Sequence, residues 1–132
     1  MNTATNQLTQ TTLFTDTDGV ARFKDEALAL TEGSEAARLS PLAASGGFQF
    51  RKSPVGFQSA FHCTTTPQWL VVLSGAMEIG LQDGIVRVFG AGERFYSNDT
   101  LPEGAVFDAK LHGHCSRQVG NEPLVTMFVR TL

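Results

Sequence analysis

Apolar and polar residues alternate in short runs along most of the chain, the period-two signature of half-buried β-strands. The pattern predicts strands over Gln49–Lys52, Gln58–Cys63, Gln68–Leu73, Ala76–Leu81, Ile85–Phe89, Arg94–Ser97 and Val125–Val129. Two earlier segments, Thr11–Thr15 and Glu26–Thr31, read the same way. Turn residues separate them: Asp16-Thr17-Asp18-Gly19, Ser74-Gly75, Gln82-Asp83-Gly84 and Gly90-Ala91-Gly92. Asp25–Leu39 contains helix formers, but Gly33 interrupts it and Pro41 follows, so an extended reading is preferred. Short strands at this spacing predict an all-β fold, an antiparallel β-sandwich or jelly-roll barrel. Residues 1–10 read as a flexible tail and 11–132 as a single domain. Residues 101–110 are less regular and read as a loop or lid over whatever the barrel encloses.

Composition narrows the function classes. Hydrophobic residues make up 42% of the 132 and charged residues 17%, which excludes a disordered chain. Lys plus Arg is 10 against 13 for Asp plus Glu, a net charge of −3. The basic residues are scattered, with Arg51-Lys52 the only adjacent pair, so no nucleic-acid partner is expected. The longest apolar run is Trp69–Leu73, far short of the roughly 18 residues of a membrane span. Met1–Thr12 has no basic start and no apolar core, so the expected compartment is the cytoplasm and no membrane is expected.

Candidate chemistry centres on three histidines, His62, His112 and His114. In an extended chain His112 and His114 share a face, and neighbouring antiparallel strands can bring His62 to the same place. Neutral imidazole is the commonest protein metal ligand, so an inward-facing triad is one reading. The plainer reading is a set of hydrogen-bonded histidines with no ligand, because His-x-His pairs are unspecific. No acidic residue lies within ten positions of His62. Cys63 and Cys115 each follow one of these histidines and are expected on the opposite face as free thiols.

The stretch Gly56–Gly75 resembles the first motif of the cupins, G-x5-H-x-H-x3,4-E-x6-G. Its spacing is met by Gly56, His62, Thr64, Gln68 and Gly75. Gly90-Ala91-Gly92-Glu93, the strand Arg94–Ser97 and His114 resemble the second motif with a longer intervening stretch. The run His114-Cys115-Ser116-Arg117-Gln118-Val119-Gly120-Asn121-Glu122-Pro123 is similar to the ending of small single-domain bacterial cupins. The resemblance covers about residues 45–130.

It implies a jelly roll with a histidine site, and a metal-dependent dioxygenase, isomerase or lyase acting on a small organic molecule. The alternative is a non-catalytic small-molecule binding or sensing module without metal. Thr64 stands where the motif has a second His, and Gln68 where it has Glu. The implied ligand set for Zn, Fe, Ni or Mn is therefore His62, His114 and either Gln68 or His112. Thr64, Phe61, Trp69 and Tyr96 are expected to line the pocket, and Glu103, Asp108 or Tyr96 to move protons. The resemblance also implies a homodimer, with the two N-terminal strands adding to a sheet edge or crossing to the partner copy.

Overall fold

The computed structural model describes residues 6–132. The described residues form strands and no helix. In chain order the strands are β1 (Gln7–Thr15), β2 (Ala21–Ala29), β3 (Glu32–Ser34), β4 (Ala37–Leu39), β5 (Ser45–Ser53) and β6 (Gln68–Ser74). They continue with β7 (Ala76–Gly80), β8 (Val86–Gly90), β9 (Arg94–Asn98), β10 (Cys115–Val119) and β11 (Leu124–Thr131). Six of them make one sheet in the order β2-β1-β9-β6-β11-β5. A second sheet has the order β10-β7-β8, and β3 and β4 form a hairpin of their own. The expected β-sandwich is observed, with its two sheets not joined into a closed barrel. One ladder departs from the antiparallel expectation: β1 runs parallel to β9, with Thr12 opposite Tyr96.

The alternation that predicts strands also selects the core. Leu70 and Val72 on β6, Met77 and Ile79 on β7, and Phe95 on β9 are buried between the sheets, joined by Leu13, Phe89 and Leu124. Such side chains each contribute roughly 1.5–3 kcal/mol by leaving water. The chain passes from the larger to the smaller sheet at Gly75. Its φ is +76°, and a Cβ there would lie 2.5 Å from the Pro123 carbonyl oxygen, so only glycine fits.

Several boundaries differ from the sequence-based expectation. β1 begins at Gln7 and pairs with β2 along its whole length, so 7–10 belong to a strand rather than to a tail. Residues 1–5 of that expected tail lie outside the described residues. β1 and β2 extend the larger sheet of their own chain, with β1 docked on β9. The second early strand covers Ala21–Ala29, not Glu26–Thr31, and the β3–β4 hairpin occupies the segment around Gly33. Gln58–Cys63 is not a continuous strand and touches its neighbours through two isolated bridges, Gln58 with Arg117 and His62 with His114. Between Asn98 and Cys115 there is no strand, as expected for 101–110. No helix of the described residues is long and apolar enough to cross a membrane.

Candidate histidine site

The bridge between His62 and His114 is a reciprocal backbone pair. The His62 N–H donates to the His114 carbonyl at 2.9 Å, and the His114 N–H returns the bond at 2.9 Å. Residues so paired project side chains to one face, and here the two imidazole centroids are 4.8 Å apart. Gly113 makes the approach feasible. Its φ is +85°, and a Cβ there would lie 2.5 Å from the His62 carbonyl oxygen. His114 is buried, whereas His62 is exposed.

Each ring has one nitrogen committed. His62 Nδ1 lies 2.9 Å from the Ala60 carbonyl oxygen, which can only accept, so Nδ1 carries the hydrogen of the neutral ring. His114 Nδ1 lies 2.8 Å from Asp99 Oδ2. Both Nε2 atoms are left without a hydrogen-bond partner among the described residues, with their lone pairs unused. Orientation of this kind, through a carbonyl or a carboxylate, is how proteins hold an imidazole for proton transfer or ligation.

Asp99 is the functional residue that sequence reasoning missed. It is fully buried and follows β9 directly. The Thr15 hydroxyl donates to its Oδ1 at 2.7 Å, and the Thr64 N–H donates to its carbonyl at 2.7 Å. The signal that would have found it is periodicity: Phe95, Ser97 and Asp99 occupy alternate positions, and all three are buried. The carboxylate beside the histidine pair is delivered by the residue that follows β9, not by the expected Glu103 or Asp108. Both of those acids are exposed. The Asp108 carboxylate is engaged locally, accepting from the Lys110 N–H at 2.9 Å.

His62 opens onto a cavity of about 460 Å³ whose other walls are Cys63, Thr64, Thr65, Thr100, Leu101 and Phe107. The Thr64 hydroxyl meets that of Ser97 at 2.7 Å, which ties this wall to β9. Cys63 shares the cavity with His62, contrary to the expectation of opposite faces. The segment is not a regular strand, so strict alternation fails. Burial, reinforced by the Asp99 carboxylate, pushes the Cys63 thiol pKa up. The thiol is therefore kept protonated and is a weak nucleophile. Both cysteines are free, as expected.

Other candidates are placed elsewhere. His112 is buried, but Gly113 breaks the extended chain between it and His114, so the two do not share a pleat. The Asp108 N–H donates to His112 Nδ1 at 3.0 Å, which uses the lone pair that a ligand would need. Gln68 pairs opposite Ser97, yet its side chain lines a separate cavity of about 340 Å³ with Gln49, Arg51, Phe128 and Arg130. Trp69 and Tyr96, whose rings meet tilted at 58° with centroids 5.2 Å apart, alternate with the core residues of β6 and β9 and line a third cavity beside Gln10 and Thr12. The Tyr96 hydroxyl lies 3.2 Å from that of Thr131. Phe61 is half-buried and is not part of the His62 cavity wall.

The donor set for a metal is therefore two imidazoles. Asp99 is held by His114 and Thr15, and Thr64 by Ser97. Among the described residues no group of three or more His, Cys, Asp or Glu is placed to hold an ion. A catalytic zinc site ordinarily takes three protein ligands, so the residues present do not fit the implied metal.

No family model matches the chain, and no curated protein matches it. Among solved structures it is similar to a cupin-2 domain protein from Shewanella frigidimarina, at 20% identity and a TM-score of 0.42, over 68% of this chain and 76% of that one. It is also similar to the cupin domain of Schizosaccharomyces pombe Cnp3, at 10% identity and a TM-score of 0.46, over 96% of this chain and 85% of that one.

Proposed function

We propose that the protein is a cupin-like binder of a small organic molecule, which it holds in the His62 cavity and contacts through imidazole. The observation that carries this reading is the pair His62 and His114, each with Nδ1 engaged and Nε2 free, beside a cavity of about 460 Å³. That volume falls in the ordinary range for small-molecule sites. Leu101, Phe107 and the threonine methyl groups favour an apolar body, and His62 favours one oxygen function that exchanges a hydrogen bond or proton with Nε2. His114, oriented by Asp99, backs the His62 ring. An acid–base reaction on the bound molecule is the catalytic form of this reading, and retention without turnover is its sensing form.

The test is a titration with a panel of small aromatic and aliphatic carboxylates and their neutral amides, followed by NMR of the imidazole C–H signals. At least one probe is expected to shift the His62 ring signals and to bind tenfold or more weakly to His62→Gln. His62 is exposed, so the variant keeps its fold. Probes that leave the His62 signals still, or that bind His62→Gln as well as the wild type, overturn the reading.

A metal-dependent form is favoured by one observation, the two unused Nε2 lone pairs, and lacks a third protein donor. Equilibrium dialysis against Zn, Mn, Ni and Fe separates the two. Tight binding lost in both His62→Gln and His114→Gln supports the metal form, and weak binding indifferent to His62 removes it.

A further inference from the structure

Among the described residues β5 is an edge strand of the larger sheet, paired with β11 on one side only. Its first eight residues are all exposed, on both faces. Phe48 and Phe50 are 64% and 65% exposed and meet edge to face at 5.8 Å. The opposite edge is protected in the way sheet edges usually are. β2 carries Lys24, Asp25 and Glu26 at its centre, with Lys24 paired to Glu26 and Asp25 to Arg87. At the same place β5 presents Phe48-Gln49-Phe50 beside a row of unpaired backbone groups. A long apolar edge of this kind is a template for another strand.

The geometry points to a second copy of this chain as that strand, with the two β5 edges pairing antiparallel about a two-fold axis. Such an axis runs perpendicular to the sheet and keeps each side chain on its own face. Residues opposite one another must then have numbers with an even sum. Three registers are central. An axis at Arg51 sets the two Arg51 side chains against each other, like charge on like. An axis at Gln49 needs Gly46 and Gly47, where the ladder with β11 shifts register and Gly47 has a φ of +118°. An axis at Phe50 stays within Phe48–Lys52, which pairs regularly with Val125–Val129. It sets Phe50 against Phe50, Phe48 against Lys52 and Gln49 against Arg51, with no like charges opposed. Both phenylalanines would leave water, Lys52 would lie over an aromatic face, and Arg51 already stacks on Phe57 at 4.8 Å, clear of the axis. The result is one continuous sheet of twelve strands. This inference is independent of the reading of the His62 cavity.

Sedimentation across a concentration series is expected to give a dimer, weakened at least tenfold by Phe50→Lys while far-UV circular dichroism is unchanged. A Cys63→Ser/Cys115→Ser background then carries Phe50→Cys or Phe48→Cys, exposed to oxidised glutathione. Residue 50 lies opposite its own copy and should cross-link as a dimer. Residue 48 lies four positions from its own copy and should cross-link far less. A monomer at every concentration overturns the proposal. So does a dimer indifferent to Phe50→Lys, or cross-linking at 50 no greater than at 48.

Discussion

Between the same two sheets, the interior around Phe95 and the interior around Asp99 are held by different means. One strand and its continuation supply both: Phe95, Ser97 and Asp99 alternate along β9 and just beyond it, and all are buried. At Phe95 the contacts are ring against ring, with Phe89 at 4.6 Å, among Leu70, Val72 and Met77. Two steps on, the contacts are directed hydrogen bonds, Ser97 to Thr64 and Asp99 to His114 and Thr15. Apolar packing needs volume filled, so shape can be traded between neighbours. A buried polar cluster needs each partner in place, because an orphaned donor or acceptor keeps its full desolvation cost.

Phe95→Ala should show the largest loss, about 4 kcal/mol, from lost transfer energy plus the void left behind. Phe95→Leu should cost about 1.5 kcal/mol, since the neighbours can close around a similar volume. Urea unfolding measures both. Equal losses for the two variants would mean that the apolar region is as geometrically exacting as the polar one, and the contrast would collapse.

Asp99 inverts that pattern. Asp99→Ala should cost about 3 kcal/mol, because it strands the buried His114 Nδ1–H, while the Thr15 hydroxyl keeps the Thr100 carbonyl at 2.9 Å as its acceptor. Asp99→Asn, though isosteric, should recover only part of this loss, since one uncharged amide oxygen stands in for two carboxylate acceptors. The Asp99→Asn variant should also release the His114 ring, seen as a change in its NMR tautomer signals. Full recovery by Asn would show that shape rather than hydrogen bonding holds this end.

The same division explains what the sequence disclosed. Alternation over Gln68–Leu73, Ala76–Leu81 and Arg94–Ser97 is local, and the sheets follow it. The pairing of His62 with His114 is legible in the three-histidine pattern together with the motif spacing, and Gly113 is its local device. Asp99 is thirty-seven positions from His62 and meets its segment through His114 and the Thr64 N–H, contacts that no window along the chain contains. His112 fails as a partner of His114 because the positive φ of Gly113 reverses the rule that puts alternate residues on one face. Gln68 meets its motif spacing, yet its side chain turns to a cavity built by β5 and β11, far away in sequence. β3 and β4 are three residues each, too short for a period to register.

Thr64 and Ser97 sharpen the comparison by a smaller effect. Ser97→Ala and Thr64→Val should each cost about 1 kcal/mol, since each leaves one buried hydroxyl without its partner. The double variant should cost less than the sum of the two, because both hydroxyls are then gone. Additive losses in a double-mutant cycle would show that the 2.7 Å contact contributes no coupling.

Outside both interiors, the Asp25–Arg87 pair marks the scale of an ion pair held in water. The Arg87 guanidinium donates to both Asp25 oxygens, at 2.8 and 3.0 Å, and Thr11 adds a third donor. The hydrogen bond from Arg87, followed by that from Thr11, lowers the Asp25 pKa. A carboxyl lowered on folding contributes stability that is complete above its unfolded value, about 3.9, and is lost as pH falls through the folded value. Side-chain exposures of 36% and 47% let solvent screen the pair, so the contribution should stay below about 1 kcal/mol. Asp25→Asn removes the charge and leaves the Arg87 contact with Phe23 in place. Wild type should exceed this variant by that small margin at pH 7. The margin should shrink in 1 M salt and vanish as pH falls below the ordinary Asp range. A margin that persists at low pH would place the effect in packing instead of charge, and a margin as large as that of Asp99→Ala would erase the distinction between wet and dry partners.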